Sequence, residues 1–264
     1  MFAELSKKKI SWILLSALAL IASATGVFYF DVYRGLVSES MAPGIFAQDL
    51  MTLLASAVML ILAIFSRPKQ YKIQIIILGV AGYLFYAYGI YVIERIYNVM
   101  YLGYMAIFAL AFFTLVYGVA SIDSRIKAQA RIPGSSRVLS IIFLLLQPVV
   151  FYPLWASQLL SLMIAREKIE FLYSVYILDF CFIMPVFIII AVSTIRKEGL
   201  GFLMAPSMFV LGFTLLFPLG VAELMKPFYN QPIDAGSLVL FLVFSLIFLA
   251  IAILYLKNLS LEDT

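Results

Sequence analysis

Eight long apolar runs dominate this chain, at about residues 10–30, 45–66, 72–93, 99–121, 138–163, 171–194, 200–222 and 236–256. A helix needs roughly 20 mostly apolar residues to cross a hydrocarbon core about 30 Å thick, and each run meets that length. Backbone inside lipid must satisfy its own hydrogen bonds, which leaves helices or closed barrels. A barrel is built from short segments of alternating polarity, not from continuous apolar runs. Of the 264 residues only 12% are charged and 65% are hydrophobic. A soluble domain carries roughly 25% charged residues, so this exterior must face lipid. The expected fold is an all-α polytopic membrane helical bundle of eight transmembrane helices, with residues 1–264 forming a single integral membrane domain.

The basic residues assign an orientation. Lys7, Lys8, Lys9, Arg67, Lys69, Lys72, Arg125, Lys127, Arg131, Arg137, Arg196, Lys197 and Lys257 fall at one end of the spans, 13 of the 18 in the chain. Arg34, Arg95, Arg166, Lys168 and Lys226 fall at the other. Lysine and arginine are retained on the cytoplasmic side, so a multi-pass protein of the cell membrane with cytoplasmic N- and C-termini is expected. That bias also accounts for the net charge of +4, which is no sign of nucleic-acid binding. One alternative attaches to the first run. Lys7–Lys9, an apolar stretch and Ala22-Ser23-Ala24 also fit a cleavable signal peptide, although the run continues through Val27-Phe28-Tyr29-Phe30 to full spanning length.

The longest cytoplasmic loop, about 121–137, is basic, carries a Pro133-Gly134 turn signal and lies at the midpoint. It joins two four-span halves, about 1–121 and 138–264. Several features recur at an offset near 130: Arg34 and Arg166, Asp49 and Asp179, Arg67 and Arg196, Glu94 and Glu223, Tyr97-Asn98 and Tyr229-Asn230. With four spans per half, a repeat would be parallel, related by an axis along the membrane normal. Topology alone can also place charges at span ends, and residue identity between the halves is otherwise poor.

Ionisable groups at membrane depth are costly and face a cavity or a partner. Asp179 is the clearest case, eight residues past Phe171 and so about 12 Å inside the boundary. Tyr176, three residues earlier, shares its face and is expected to reach the carboxyl, and Pro185 predicts a kink. Asp49 opens the second span with Thr52 and Ser56 on the same stripe. Tyr91, Glu94 and Asn98 share a face at the end of the third span, where Gly79, Gly82 and Gly89 invite close approach of a neighbour. Gln147 and Gln158 lie on one face of the fifth span, with Pro148 and Pro153 between them. The candidate ligand-binding residues are therefore Asp49, Thr52, Tyr91, Glu94, Asn98, Gln147, Tyr176 and Asp179. Together they suggest a polar cavity in the outer half of the bilayer, closed below by apolar packing, with an aromatic belt accounting for part of the tyrosine content.

Three strings occur together: Ala47-Gln48-Asp49-Leu50, Gly82-Tyr83-Leu84-Phe85-Tyr86-Ala87-Tyr88, and Tyr97-Asn98-Val99-Met100-Tyr101-Leu102-Gly103-Tyr104. Over about residues 44–104 the chain resembles prokaryotic multi-span membrane proteins with a Gln-Asp-Leu second span, a tyrosine-rich third span and an Asn-x-x-Tyr-Leu start to the fourth. The resemblance implies no activity; it directs interest to Gln48, Asp49, Tyr86 and Asn98.

Several chemistries are excluded. Histidine is absent, which removes His-ligated haem, HExxH metal sites and Ser-His-Asp hydrolysis. The single cysteine, Cys181, rules out an internal disulfide. No lysine sits mid-span to form a retinal Schiff base, and no phosphate-binding or dinucleotide fingerprint is present. No cofactor or metal is expected. The favoured function is a small transporter or permease for a cation, a proton-coupled solute or an amine-like solute. One alternative is an intramembrane enzyme acting on a lipid-linked substrate, because Asp31 and Glu39 resemble the acidic first loop of polyprenyl-linked glycosyltransferases, although a DxD pair is missing. A structural or assembly subunit is the other. Expected partners are membrane lipids and a small cationic or polar solute, with a homo-oligomer or another membrane protein as further candidates.

Overall fold

The computed structural model describes residues 5–68, 70–169 and 172–261, with side chains from Lys8 onward. The Lys7 side chain, Lys69 and Phe171 lie outside the described residues. The eight apolar runs form eight helices long and apolar enough to cross a membrane: Lys8–Phe28, Ala42–Phe65, Tyr71–Ile93, Tyr101–Ala120, Gly134–Ala165, Tyr173–Ile195, Gly199–Tyr229 and Ala235–Asn258. The protein is an integral, multi-pass α-helical membrane protein.

The helices are α1 (Leu5–Phe28), α2 (Ala42–Phe65), α3 (Tyr71–Ile93), α4 (Tyr101–Ala120), α5 (Ser124–Gln129), α6 (Gly134–Ala165), α7 (Tyr173–Leu178), α8 (Met184–Ile195), α9 (Gly199–Met225) and α10 (Ala235–Asn258). The sixth span is α7 and α8 joined through a π-helical turn, Asp179–Ile183. The midpoint loop is more ordered than its Pro-Gly signal implies. It holds the short α5 and a strand, β1 (Ala130–Arg131), paired antiparallel with β2 (Ser260–Leu261) after α10. Pro133 is the N-cap of α6, so that helix starts at Gly134, four residues ahead of the expected span.

Helices in lipid gain little from apolar burial against each other, so close packing and interhelical hydrogen bonds hold them. The two most enclosed spans, α3 and α9, cross at the centre. A Cβ on Gly79 would sit 2.7 Å from the Val210 Cβ and 2.8 Å from the Ser207 carbonyl, so only glycine allows this approach. Ser207 Oγ then donates to the Ile75 carbonyl at 2.8 Å. Around α3, neighbours pair in the ring α1·α2, α2·α3, α3·α4, α4·α1; around α9 the ring is α6·α8, α8·α9, α9·α10, α10·α6. Between the rings, α2 packs on α9 and α7 on α3, with α3·α9 between them. The two sets of four follow a similar neighbour order, except that α6 also touches α9.

The first run is packed into the bundle between α2 and α4, with Ala22 and Ser23 both buried and the Tyr88 hydroxyl donating to the Ala19 carbonyl at 3.0 Å. The α6 span is the outlier. Its 32 residues reach about 48 Å, well beyond a bilayer core. It packs chiefly on α8 and only sparsely on α9 and α10.

Candidate functional site

At the end of the bundle away from the basic loops, α2, α3, α6, α7, α8 and α9 diverge around a cavity of about 710 Å³. Its mouth reaches the exposed Ser40 and Gln158; its floor is closed by Tyr83, Phe187 and Leu215. Beneath the floor α3 and α9 meet through Ile75, Gly79, Ser207 and Val210. The wall is mostly apolar, with a few polar groups set into it.

Asp179 is the central one. Six residues along the span from Tyr173, it lies about 9 Å inside the helix end and is 8% exposed. The Trp155 indole donates to its Oδ2 at 2.7 Å, and the Tyr86 hydroxyl lies near the same carboxyl. The helix widens at this residue. The Met184 N–H bonds the Asp179 carbonyl, five residues back, and Pro185, which lacks an N–H, follows within the first turn of α8. The irregularity expected at Pro185 is thus a π turn centred on Cys181, four residues earlier. Such turns recur at functional positions, and here it presents the carboxyl to the cavity.

Tyr176 does not bond Asp179. The Asp179 N–H bonds the Val175 carbonyl, so the two side chains keep regular helical spacing on the cavity wall, but the Tyr176 hydroxyl donates to Gln158 Oε1 on α6 at 2.6 Å. The Tyr176 ring packs edge-on against Trp155 with centroids 5.4 Å apart, and Phe151 tilts against Trp155 at 5.7 Å. A carboxylate therefore sits beside an aromatic cluster of Trp155, Tyr176, Tyr86 and Phe151.

Of the eight candidates, Tyr91, Glu94, Gln147, Tyr176 and Asp179 line this cavity. Glu94 also closes a gap between spans, because its Oε1 accepts from the Ser174 N–H at 2.8 Å and the Ser174 hydroxyl at 2.6 Å. It thereby caps the start of α7. Among the described lining residues the one lysine, Lys226, pairs with Glu223 at 2.7 Å, which leaves Glu94 and Asp179 as the acidic groups on the wall.

Asp49, Thr52 and Asn98 lie off the cavity, Asp49 and Thr52 one hydrogen bond behind its wall and Asn98 further back. Asp49 is 1% exposed; its Oδ1 accepts from Tyr91 at 2.8 Å and its Oδ2 from Tyr33 at 2.6 Å. Thr52 Oγ1 pairs with the Tyr83 hydroxyl at 2.9 Å. Asn98 Nδ2 donates to the Tyr104 hydroxyl at 2.9 Å, and Tyr104 approaches Tyr33 at 3.4 Å. This knot fixes the wall tyrosines Tyr83 and Tyr91. Burial first, then the neighbouring Asp49 carboxylate, pushes the Tyr33 phenol far above its usual range, so Tyr33 stays a donor. Asp49 has room only because Gly26 of α1 faces it; a Cβ there would lie 1.8 Å from Oδ2.

Residues outside the sequence candidates contribute as much as those within. Trp155, Tyr33 and Gly26 are the main ones, with Tyr86 and Gln48, to which the resemblance directs interest, also on the cavity wall. Gly26 is the lone glycine of the first apolar run, and Tyr86 sits in the tyrosine-rich string. The tyrosines divide among three environments. Tyr83, Tyr86 and Tyr91 line the cavity, Tyr88 and Tyr104 are buried, and Tyr97 and Tyr101 pack edge-to-face at the bundle end. Asp31 forms an exposed pair with Arg34 at 2.8 Å, away from the cavity. Among the described residues no group of three acidic or thiol side chains could hold a metal. No protein-family model, no curated protein and no solved structure matches this chain, so the chemistry of the cavity itself is the guide to its ligand.

Proposed function

We propose that the protein is a small permease that binds an organic ammonium ion at Asp179 and carries it across the membrane. In this reading the basic end is cytoplasmic and the cavity faces the exterior. The observation that carries it is the Asp179 carboxylate on the wall of a largely apolar cavity, flanked by the rings of Trp155, Tyr86 and Tyr176. A carboxylate and a cation 4 Å apart attract by about 4 kcal/mol at an effective dielectric of 20. Aromatic faces add about 2 kcal/mol each once the cation is desolvated. Such a wall favours a cation with an apolar body over an inorganic ion, which needs many oxygen ligands.

Transport draws on the same elements. The π turn at Asp179 and the prolines at 148, 153, 206 and 218 are points where α6, the sixth span and α9 can bend. Interrupted helices beside a binding site are a feature of alternating-access carriers. The enzyme reading needs two carboxylates converging on one substrate. Here Glu94 is engaged by Ser174, and Asp49 lies behind Tyr91.

The test is uptake of radiolabelled tetramethylammonium and choline by proteoliposomes. Asp179→Asn keeps the oxygen that accepts from Trp155 and removes the charge. Uptake should fall at least about tenfold, the value of one charge-assisted interaction. Saturable uptake that Asp179→Asn leaves unchanged would remove Asp179 from the account.

A further inference from the structure

Beside the main cavity runs a second, smaller space of about 150 Å³ between α6, α9 and α10. Gln147, Phe151 and Leu216 line both, so the two spaces adjoin across these three side chains. Apart from Gln147, the groove is walled by hydrocarbon and phenyl rings, among them Val150, Phe241 and Phe244.

Its position is set by helix geometry. Phe151 and Gln147 lie four and eight residues from Trp155 towards the basic end, about 6 and 12 Å deeper along α6. On α10 the lining residues from Leu240 to Phe248 lie roughly 8–20 Å from the helix start. The groove therefore descends from the level of Asp179 into the hydrocarbon layer. Its rim faces lipid, because Val150 is 48% and Leu240 51% exposed, and α6 and α10 touch only sparsely along it.

We infer that the ligand is an amphiphile, its ammonium head at Asp179 and an aliphatic tail in the α6–α10 groove, and that it reaches the site laterally from the bilayer. This rests on the proposed role of Asp179 and adds a tail, a route and a substrate class to it. A head group anchored at Trp155 leaves its substituent pointing at Phe151, and the wall beyond Phe151 is apolar until it meets lipid.

The test is binding of an n-alkyltrimethylammonium series, methyl to hexyl, to the purified protein in nanodiscs. The readout is Trp155 fluorescence in a Trp12→Phe background, since the chain has two tryptophans. Affinity should rise by about fourfold per added methylene, the transfer value for a buried CH₂. Val150→Phe, and separately Leu240→Phe, intrude on the groove and should flatten that rise while leaving tetramethylammonium affinity unchanged. No rise with chain length, or a rise that both substitutions leave intact, overturns the tail site while the head site stands. Tetramethylammonium binding that is absent, or insensitive to Asp179→Asn, overturns the head site instead.

Discussion

Gly26→Ala is a small substitution with a large expected cost. The new Cβ would lie 1.8 Å from Asp49 Oδ2, 2.6 Å from its Cγ and 2.8 Å from the Tyr33 hydroxyl. The helix cannot simply move away, because Trp12, Leu15 and Ala19 are buried on α1 and Tyr88 is bonded to the Ala19 carbonyl. The carboxyl must swing aside and give up the bond from Tyr33 or from Tyr91. Overpacking costs about 1–3 kcal/mol and a lost buried hydrogen bond about 1–3 kcal/mol. The better helix propensity of alanine returns up to about 1 kcal/mol. The net destabilisation is around 3 kcal/mol. The assay is unfolding in mixed micelles by titration with sodium dodecyl sulfate, followed by tryptophan fluorescence, as a double-mutant cycle with Asp49→Ala. Removing the carboxyl clears the space, so Gly26→Ala should be neutral or stabilising in that background. A single-mutant cost below about 0.5 kcal/mol, or an equal cost in both backgrounds, would refute the reasoning, since contacting residues must couple.

Three further perturbations have defined outcomes. Glu94→Ala leaves the Ser174 N–H without its acceptor and should cost about 1–3 kcal/mol; hydrogen exchange over residues 173–179 should accelerate, while Glu94→Gln, which keeps an acceptor oxygen, should leave it near wild type. Gly79→Ala should lower the melting temperature by forcing α3 from α9, with loss of the Ser207–Ile75 bond; an unchanged melting temperature would show that the crossing has slack. Asp234 caps α10 outside the spans, where the Ser237 hydroxyl, then the Ser237 and Gly236 N–H groups, hold its carboxyl below the usual range. A depressed folded value means that its stabilisation is present above the unfolded value and is lost as pH falls through the folded one. The melting-temperature gap between wild type and Asp234→Asn should therefore close on acidification; a gap independent of pH would contradict the cap.

Span number and boundaries are legible in this sequence because the bilayer imposes one length on every helix, and each apolar run has it. Even α6, whose start was misplaced, differs only because Pro133 serves as an N-cap instead of continuing a turn. Asp179 was legible for a related reason: a carboxyl among Tyr, Leu, Phe and Cys side chains has few ways to be tolerated. Its partners were not. Helical spacing points to Tyr176, but its hydroxyl is taken by Gln158 on α6, and the donor to Asp179, Trp155, is 24 residues away on another span. Asp49 and Asp179 look equivalent at an offset of 130, yet one is sealed behind Tyr91 and the other opens on a cavity. Their surroundings differ by tertiary contacts that no periodicity encodes, such as the close approach of Gly26 and the loose seating of α6.

The central claim is that Asp179 and its aromatic neighbours receive an organic cation. Its most direct measurement is an experimental map of the protein bound to bromohexyl-trimethylammonium, with the bromine located by anomalous scattering. The account predicts head-group density between Asp179, Trp155 and Tyr176, with the bromine in the groove between α6 and α10. A ligand found elsewhere on the molecule, with the Asp179 cavity unchanged, would contradict it.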